Sequence, residues 1–405
     1  MIFSAKKAKA IILSFSLLST FLLSAESFFS GLTGVKINFS GNELSESYDP
    51  DLKLQAFFAG QFNFMDNLWA RTEFSLNTGD FISENIFKET TSLFQIDELS
   101  LNLRSNAENY INYLSLFLGT FEPIGSDVFL QRYFKITPIA SKLTESWLGL
   151  SGSILYPQRG FGLSNTLKFL NIPSALNISA YLNTDEYDYF VFNTDIRFAM
   201  NYRYFTADVL CGIGLPLGSP VTTDEYFIAI EKIYWHAGTN ILFGNDYTQS
   251  LFIQAGIFNA SFIGKTTVDW AEKNIYLMFE PRFILKKLKC DISLYNLPES
   301  NVKELQNVDC TLGININCYS ENVKIGNKTF TIGCHTNAGL KNKTIFNLEE
   351  PTNFTENFIF NITGYSSSDL LSGELHIMLK LKIMELTRNN PGNVFSCGIG
   401  YRTKI

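Results

Sequence analysis

Charged residues, histidine and long apolar runs are all scarce in this 405-residue chain. Charged residues make up 18% of it, there are 3 His and 11 Pro, and the formal net charge is −7. An acidic chain without basic clusters is a poor nucleic-acid binder, so we expect no nucleic-acid partner. Beyond the N-terminal segment no stretch offers 18 consecutive apolar residues, which excludes helical membrane spans.

Motifs for catalysis, cofactors and metals are also lacking. Gly-rich phosphate loops, Walker-type motifs and zinc-ligand spacings are missing. His376 shares the polar face of a period-two segment with Glu374, but no serine lies in a distinctive context beside them. His335 follows Cys334 directly, and period two sends neighbouring residues to opposite faces, which argues against a shared metal. We therefore expect no enzyme activity, no cofactor and no metal site.

The six cysteines form no Cys-x-x-Cys pair, and most of them lie on the apolar face of a period-two segment. A role as small hydrophobic side chains is sufficient to explain them. Cys318 and Cys334 lie on neighbouring predicted strands and could form a disulfide in an oxidising compartment. Sequence spacing leaves the connectivity open.

The N-terminus indicates the compartment. Three lysines between residues 6 and 9 precede an apolar run over residues 10–23, and the small residues Ser24 and Ala25 follow. This order is typical of a secretory signal peptide, so we expect residues 1–25 to be one, with cleavage after Ala25. An N-terminal anchor helix is the alternative, but the run is short for a span of ~20 residues. Loss of the three lysines takes the net charge from −7 to −10.

What the chain does contain is a strict alternation of apolar and polar residues. From residue 52 onward, Leu52, Leu54 and Phe58 occupy even positions, while Lys53 and Gln55 occupy odd ones. This period of two predicts a strand with one apolar and one polar face. About 16 to 20 such segments follow one another, most of them near the ~10 residues of a membrane-crossing strand. No run of 12 or more residues has a helical period, and we predict one all-β domain over residues 26–405.

The alternation fits either a soluble β-protein or a transmembrane barrel, since both need a period of two. Three features favour the membrane barrel. The polar faces carry Asn, Gln, Ser and Thr rather than dense Lys and Glu, and the export signal precedes strands that begin at once. Aromatic residues such as Trp69, Trp235 and Trp270 crowd the segment ends, as in interfacial girdles. We predict a single transmembrane antiparallel β-barrel of about 16–18 strands. An exported soluble β-protein remains the alternative.

In this architecture the chain resembles bacterial outer-membrane β-barrels of the porin-like group. Those proteins carry a C-terminal assembly signal: a glycine, an aromatic residue three positions on, and an aromatic at or near the end. Gly398 and Tyr401 fit its first part, whereas Thr403 and Ile405 depart from the second. The resemblance implies a location in the bacterial outer membrane, with outer-membrane lipid and the barrel-assembly machinery as partners. It also allows a homo-oligomer.

A barrel of this size has a lumen wide enough for water. The roughly ten residues between the signal and the first strand leave no room for a plug domain of the kind used by gated transporters. The resemblance then implies a porin-like channel for passive diffusion of small hydrophilic solutes or ions. The alternatives are a surface-exposed structural or adhesion barrel and a transporter of hydrophobic substrates.

In porins a long connection folds into the lumen and narrows it. The stretch over residues 120–146 is the candidate here, although an external loop with scattered charges explains it equally well. Opposed charges across a constriction would screen solutes by size and charge. The candidate pore-lining or constriction residues are Arg71, Glu73, Glu122, Asp127, Arg132, Lys135, Asp195 and Arg197. The net negative charge suggests a weak preference for cations.

Overall fold

The computed structural model describes most of the chain. The described residues are 28–41, 50–80, 92–121, 140–141, 143–144, 159–184, 190–217, 232–245, 249–263, 267–302, 305, 307–348, 354–388 and 393–405. The predicted signal peptide, residues 1–25, lies outside these ranges.

Eighteen antiparallel strands form one closed barrel, and a nineteenth, short strand (β12) pairs only with the end of β11. The strands are β1 (Phe29–Gly41), β2 (Pro50–Met65), β3 (Leu68–Thr78), β4 (Ser92–Asn106), β5 (Tyr110–Thr120), β6 (Arg159–Phe169), β7 (Ser174–Thr184), β8 (Phe190–Tyr202), β9 (Phe205–Leu217), β10 (Lys232–Phe243), β11 (Ser250–Ile263), β12 (Thr267–Asp269), β13 (Ile275–Leu285), β14 (Leu288–Asn296), β15 (Leu312–Ile325), β16 (Lys328–Leu340), β17 (Phe358–Leu370), β18 (Gly373–Lys382) and β19 (Phe395–Lys404).

The barrel closes because β1 pairs with β2 on one side and with β19 on the other. Gly31 and Ile405 exchange two backbone hydrogen bonds at the end of this seam, at 3.0 and 2.9 Å. An even strand number is required for such an antiparallel closure. The predicted fold class and strand number, an all-β antiparallel barrel of about 16–18 strands, are therefore confirmed.

In the part of the chain that the structure describes, helices are short and lie between strands. They are a 3₁₀ turn at Glu272–Asn274, α1 (Glu299–Val302), α2 (Phe354–Asn357) and α3 (Ile383–Thr387). Within the described ranges, no helix combines the length and the apolar character that a membrane crossing needs.

The alternation in the sequence orients the barrel wall with its apolar side outward. On β8, Ile196 is 47% exposed on the outer face, while its neighbours Asp195 and Arg197 are buried inside at 0% and 1%. On β2, the even positions that begin at Leu52 point outward and the odd positions that begin at Lys53 point inward, since Ile37 pairs with Leu54 and Lys36 with Gln55. A soluble β-protein buries its apolar face, so this inverted arrangement is that of a transmembrane barrel.

The two rims of the barrel differ. One rim holds tight turns such as Asp66-Asn67, Lys286-Lys287 and Leu371-Ser372, together with the β1–β19 seam ends. The strand ends that border the longer connections, residues 79–91, 121–158, 218–231, 297–311 and 341–357, lie at the opposite rim. Outer-membrane barrels have the same asymmetry, with short turns on the periplasmic side and longer loops outside.

The disulfide differs from the pairing considered from sequence. Cys290 and Cys318 are bonded, with Cα atoms 4.3 Å apart, whereas Cys334, the register partner of Cys318 on its other side, keeps a free thiol. A Cα separation near 4.5 Å marks a non-hydrogen-bonded antiparallel pair. Because the two pair types alternate, Cys318 and Cys334 form the hydrogen-bonded type, whose Cα atoms lie about 5.5 Å apart. Cys334 and His335 point to opposite faces, as predicted, with His335 inside.

A charge on the outer wall tests this orientation. Leu116→Arg, in the middle of β5, is expected to destabilise the barrel in lipid by about 2–4 kcal/mol, because an arginine at the bilayer midplane loses its hydration. Tyr110→Arg, at the end of the same strand, is the matched control and should cost about 0–1 kcal/mol. Urea unfolding in lipid vesicles measures both. Equal costs at the two positions would contradict the membrane orientation.

Candidate functional site

The barrel lumen is lined by hydrogen-bonded polar side chains. Asn177 donates to Ser164 at 2.6 Å and to Thr166 at 2.7 Å, which links β6 to β7. Ser115 donates to Asn102 at 2.7 Å and so links β5 to β4. These groups are buried yet have hydrogen-bond partners of their own. These parts of the wall are therefore polar and internally hydrogen-bonded.

Arg71 and Glu73, two of the candidate pore residues, lie together on the lumenal face of β3. The guanidinium of Arg71 forms an ion pair with the carboxylate of Glu73 and lies 3.9 Å from that of Glu98 on β4. Ser100 donates to Glu98 at 2.6 Å. One cation therefore faces two carboxylates, so this patch of wall carries an excess negative charge.

Asp195 and Arg197, another two of the candidates, also face the lumen, but each has a different partner. Arg197 makes a bidentate ion pair with Asp208 on β9, at 2.7 and 2.5 Å. Asp195 accepts a hydrogen bond from the Tyr181 hydroxyl at 3.0 Å and lies 2.8 Å from Nε2 of His236. Buried charges are tolerated only when paired in this way.

The four remaining candidates, Glu122, Asp127, Arg132 and Lys135, lie outside the described residues. The described end of the same connection, residues 140–141 and 143–144, lies inside the barrel. Ser141 donates to Glu280 on β13, and Arg282 donates to the Ala140 carbonyl at 2.7 Å. β13 is six strands around the barrel from β6, so the described end of the β5–β6 connection contacts the wall far from the strands that it joins. The expected inward fold of this stretch is present in its described part.

Glu280 is the residue that holds this segment. Its side chain is completely buried, and it accepts hydrogen bonds from Ser141, from Ser293 at 2.6 Å and from Arg282 at 2.9 Å. Leu143 packs beside it into an apolar cluster with Phe252 and other lumenal residues. Sequence reasoning missed Glu280, because nothing local distinguishes it from other polar-face carboxylates.

A second connection, between β14 and β15, also folds inward. Asp309 forms an ion pair with Lys380 at 2.5 Å and accepts a hydrogen bond from Asn361. Nearby, the hydroxyl oxygen of Tyr295 lies 2.9 Å from Sγ of Cys310. Burial raises the pKa of the Cys310 thiol to about 11. Sequence analysis did not single out this connection. Its apolar residues, of which Leu297, Val308 and Cys310 are buried, are the signal that could have indicated an inward fold.

His376 and Glu374 face the lumen as predicted from sequence. Glu374 is held by Arg402, whose Nε donates to it at 2.9 Å. The imidazole of His376 lies against the Tyr365 ring, with centroids 6.1 Å apart, and Tyr365 in turn contacts His335. The two residues are therefore components of a packed wall.

An inward polar wall and an outward apolar wall around a closed ring decide the architecture. The chain is a transmembrane β-barrel. Solved structures of similar shape include Salmonella typhi OmpF in complex with daunomycin (TM-score 0.40, 10% identity, 93% of this chain and 97% of that one). A variant of the Rh. blastica porin (0.41, 5%, 93% and 99%) and Pseudomonas putida OprB (0.39, 7%, 97% and 97%) are also similar.

These scores and identities are low, so the assignment depends on the strand pairing and the two faces of the wall. No protein-family model matches this chain. No curated protein matches its sequence either.

The role of Glu280 can be tested through the segment that it holds. Glu280→Ala removes the acceptor of three hydrogen bonds, and bonds to a charged group contribute about 1.5–3 kcal/mol each. Release of the segment should then expose the Leu143 amide and raise tryptic cleavage on its N-terminal side at least about tenfold. Glu374→Ala, which removes another lumenal ion pair, is the control and should leave this cleavage unchanged. Equal cleavage in the two variants would show that Glu280 does not anchor the connection.

Proposed function

We propose that this porin-like barrel is a channel in the bacterial outer membrane for passive diffusion of small hydrophilic solutes or ions. The observation that carries the proposal is the division of one wall into an apolar outer face and a polar inner face around a closed ring. Such a ring needs lipid outside and allows solvent inside. The proposal assigns no reaction to the chain.

The pathway is narrow. Lumenal charges such as Asp208 and Glu280 have no exposed surface, although an open 18-stranded barrel would leave its inner wall hydrated. The β5–β6 and β14–β15 connections reach the wall at Glu280 and at Lys380. We expect these two inward connections to set the size limit for solutes.

The proposed location in the outer membrane also implies an assembly route and a set of partners. The outer wall would contact outer-membrane lipid, and β19 carries Gly398 and Tyr401 where an assembly signal is expected. We propose that the barrel-assembly machinery inserts the chain and that small solutes are its transported partners. A homo-oligomer would use part of the outer wall.

Reconstitution into planar lipid bilayers tests the channel. We expect stepwise increases in current from folded protein, with a conductance below that of an open barrel of equal strand number. Heat-modifiable gel mobility confirms folding of the same sample. Folded protein that inserts into the bilayer without any conductance steps would overturn the channel proposal.

Ion selectivity tests the role of the Arg71 patch. Arg71→Gln leaves Glu73 and Glu98 without their cation and should shift the reversal potential in a KCl gradient toward K⁺. Glu98→Gln should shift it in the opposite direction, because one cation then faces one carboxylate. Lys286→Gln, in an exposed turn, removes the same charge outside the lumen and should cause little shift. Shifts of the same sign in the two lumenal variants would contradict a pore-lining role.

A surface-exposed structural or adhesion barrel is the second candidate, and the burial of the lumenal charges favours it. Such a protein would present its long connections to a host or matrix partner, while its lumen stays filled. Absence of conductance combined with ligand binding by the grafted connections would support this candidate over the channel.

A further inference from the structure

The outer wall of the barrel is concave just below the rim of long connections. A groove of about 570 Å³ lies across β11, β13, β14, β15 and β16. Its floor is a row of outward-facing register partners, with Ile253, Phe279, Leu294, Ile314 and Ala338 in order. Phe279 and Leu294 are 44% and 47% exposed, so the floor is open to the surroundings. We call this feature the outer groove.

A lip from the β16–β17 connection bounds the outer groove on the rim side. The backbone N–H of Ile345 donates to the Asn296 side chain at 3.1 Å, and Asn296 donates to the Ile275 carbonyl at 2.8 Å. Thr311 donates to the Lys343 carbonyl at 2.6 Å and fixes the same connection. These bonds place Ile345 over the outer end of β14, where its side chain lines the groove. Specific hydrogen bonds therefore hold the lip in place.

We propose that the outer groove binds one acyl chain of a membrane glycerophospholipid. The proposal rests on the proposed function in one respect, namely that the outer wall lies in lipid. Five neighbouring strands span about 19 Å at the spacing of a β-sheet. One leaflet of the hydrocarbon core is about 15 Å thick, so the groove is long enough for a whole chain. Its volume falls in the range of small-molecule sites, roughly 300–1,000 Å³.

The shape selects a flexible chain over a second copy of the barrel. The outer wall of a barrel is convex, so the wall of a second copy would bridge the groove and leave it unfilled. A flexible acyl chain can lie along the floor and under Ile345. The exposed side chains of Phe346 and Leu348 extend the apolar surface of the lip outward toward the same medium.

Retention of the chain must come from close packing. Lipid tails are as apolar as the groove, so transfer from bulk lipid yields little hydrophobic free energy. In the groove, an acyl chain makes dispersion contacts on several of its sides, whereas a convex wall contacts it on one side only. A side chain that fills the groove should therefore abolish retention without any change in polarity.

Two substitutions fill the groove from opposite ends, and a third serves as a control. Ala338→Trp and Ala255→Trp place a large ring among the lining residues on β16 and β11. Ala180→Trp makes the same change on the outer face of β7, away from the groove. Each variant is refolded into vesicles of palmitoyl-oleoyl phosphatidylethanolamine, extracted in mild detergent and weighed by native mass spectrometry. Heat-modifiable mobility confirms that each has folded.

We expect one phospholipid to remain on the wild type and on Ala180→Trp, and at least a tenfold lower occupancy on both groove variants. Equal occupancy in all four proteins, or no lipid on the wild type, would overturn the proposal. A dimer of the wild type that is lost in both groove variants would also overturn it, since a second copy would then occupy the groove. Conductance of the same samples separates the two proposals, because a silent barrel that retains its lipid refutes the channel alone.

Discussion

The need to pair every backbone polar group inside a lipid layer is the constraint on which this structure depends. No water is available there to satisfy an open sheet edge, so the ring must close on itself. The β1–β19 seam meets this need, with nine register pairs from Leu32 with Lys404 to Ser40 with Ser396. Closure then fixes the alternation, because each strand has one face toward lipid and one toward the lumen.

The inward face must solve a second problem, which is how to hold charges away from bulk water. At several positions it does so by pairing them across neighbouring strands or with the inward connections. Arg197 is paired with Asp208 across β8 and β9, and Lys380 with Asp309 from the β14–β15 connection. Loss of one partner from such a pair leaves an uncompensated buried charge, which is costly. The inward connections therefore supply ion-pair partners for charges on the wall, in addition to narrowing the lumen.

The fold and the candidate site residues on the barrel wall could be predicted from sequence, because both depend on the local alternation of apolar and polar residues. On β3 and β8 the alternation placed Arg71, Glu73, Asp195 and Arg197 on the inner face, where the structure has them. Glu280 and Asp309 could not be found in the same way. Their roles come from contacts with Ser141 and Lys380, which lie 139 and 71 residues away along the chain, and no periodic pattern records such contacts. The disulfide could not be predicted for a related reason. Whether Cys318 forms a hydrogen-bonded or a non-hydrogen-bonded pair with a neighbouring strand depends on the backbone hydrogen-bond pattern, which sequence spacing does not give.

The same stretch of wall carries the inward packing and the outer groove. On β13 and β14, Met278 and Tyr295 face inward and pack with Val308 and Cys310 from the β14–β15 connection. Their neighbours Leu277 and Leu294 face outward and line the groove. Register pairs on these two strands are interrupted between Phe279–Leu294 and Arg282–Asp291, around Pro281, which has no N–H to donate. The gap in the ladder lies directly beside the Phe279–Leu294 pair, so the wall has fewer cross-strand bonds next to the floor of the groove.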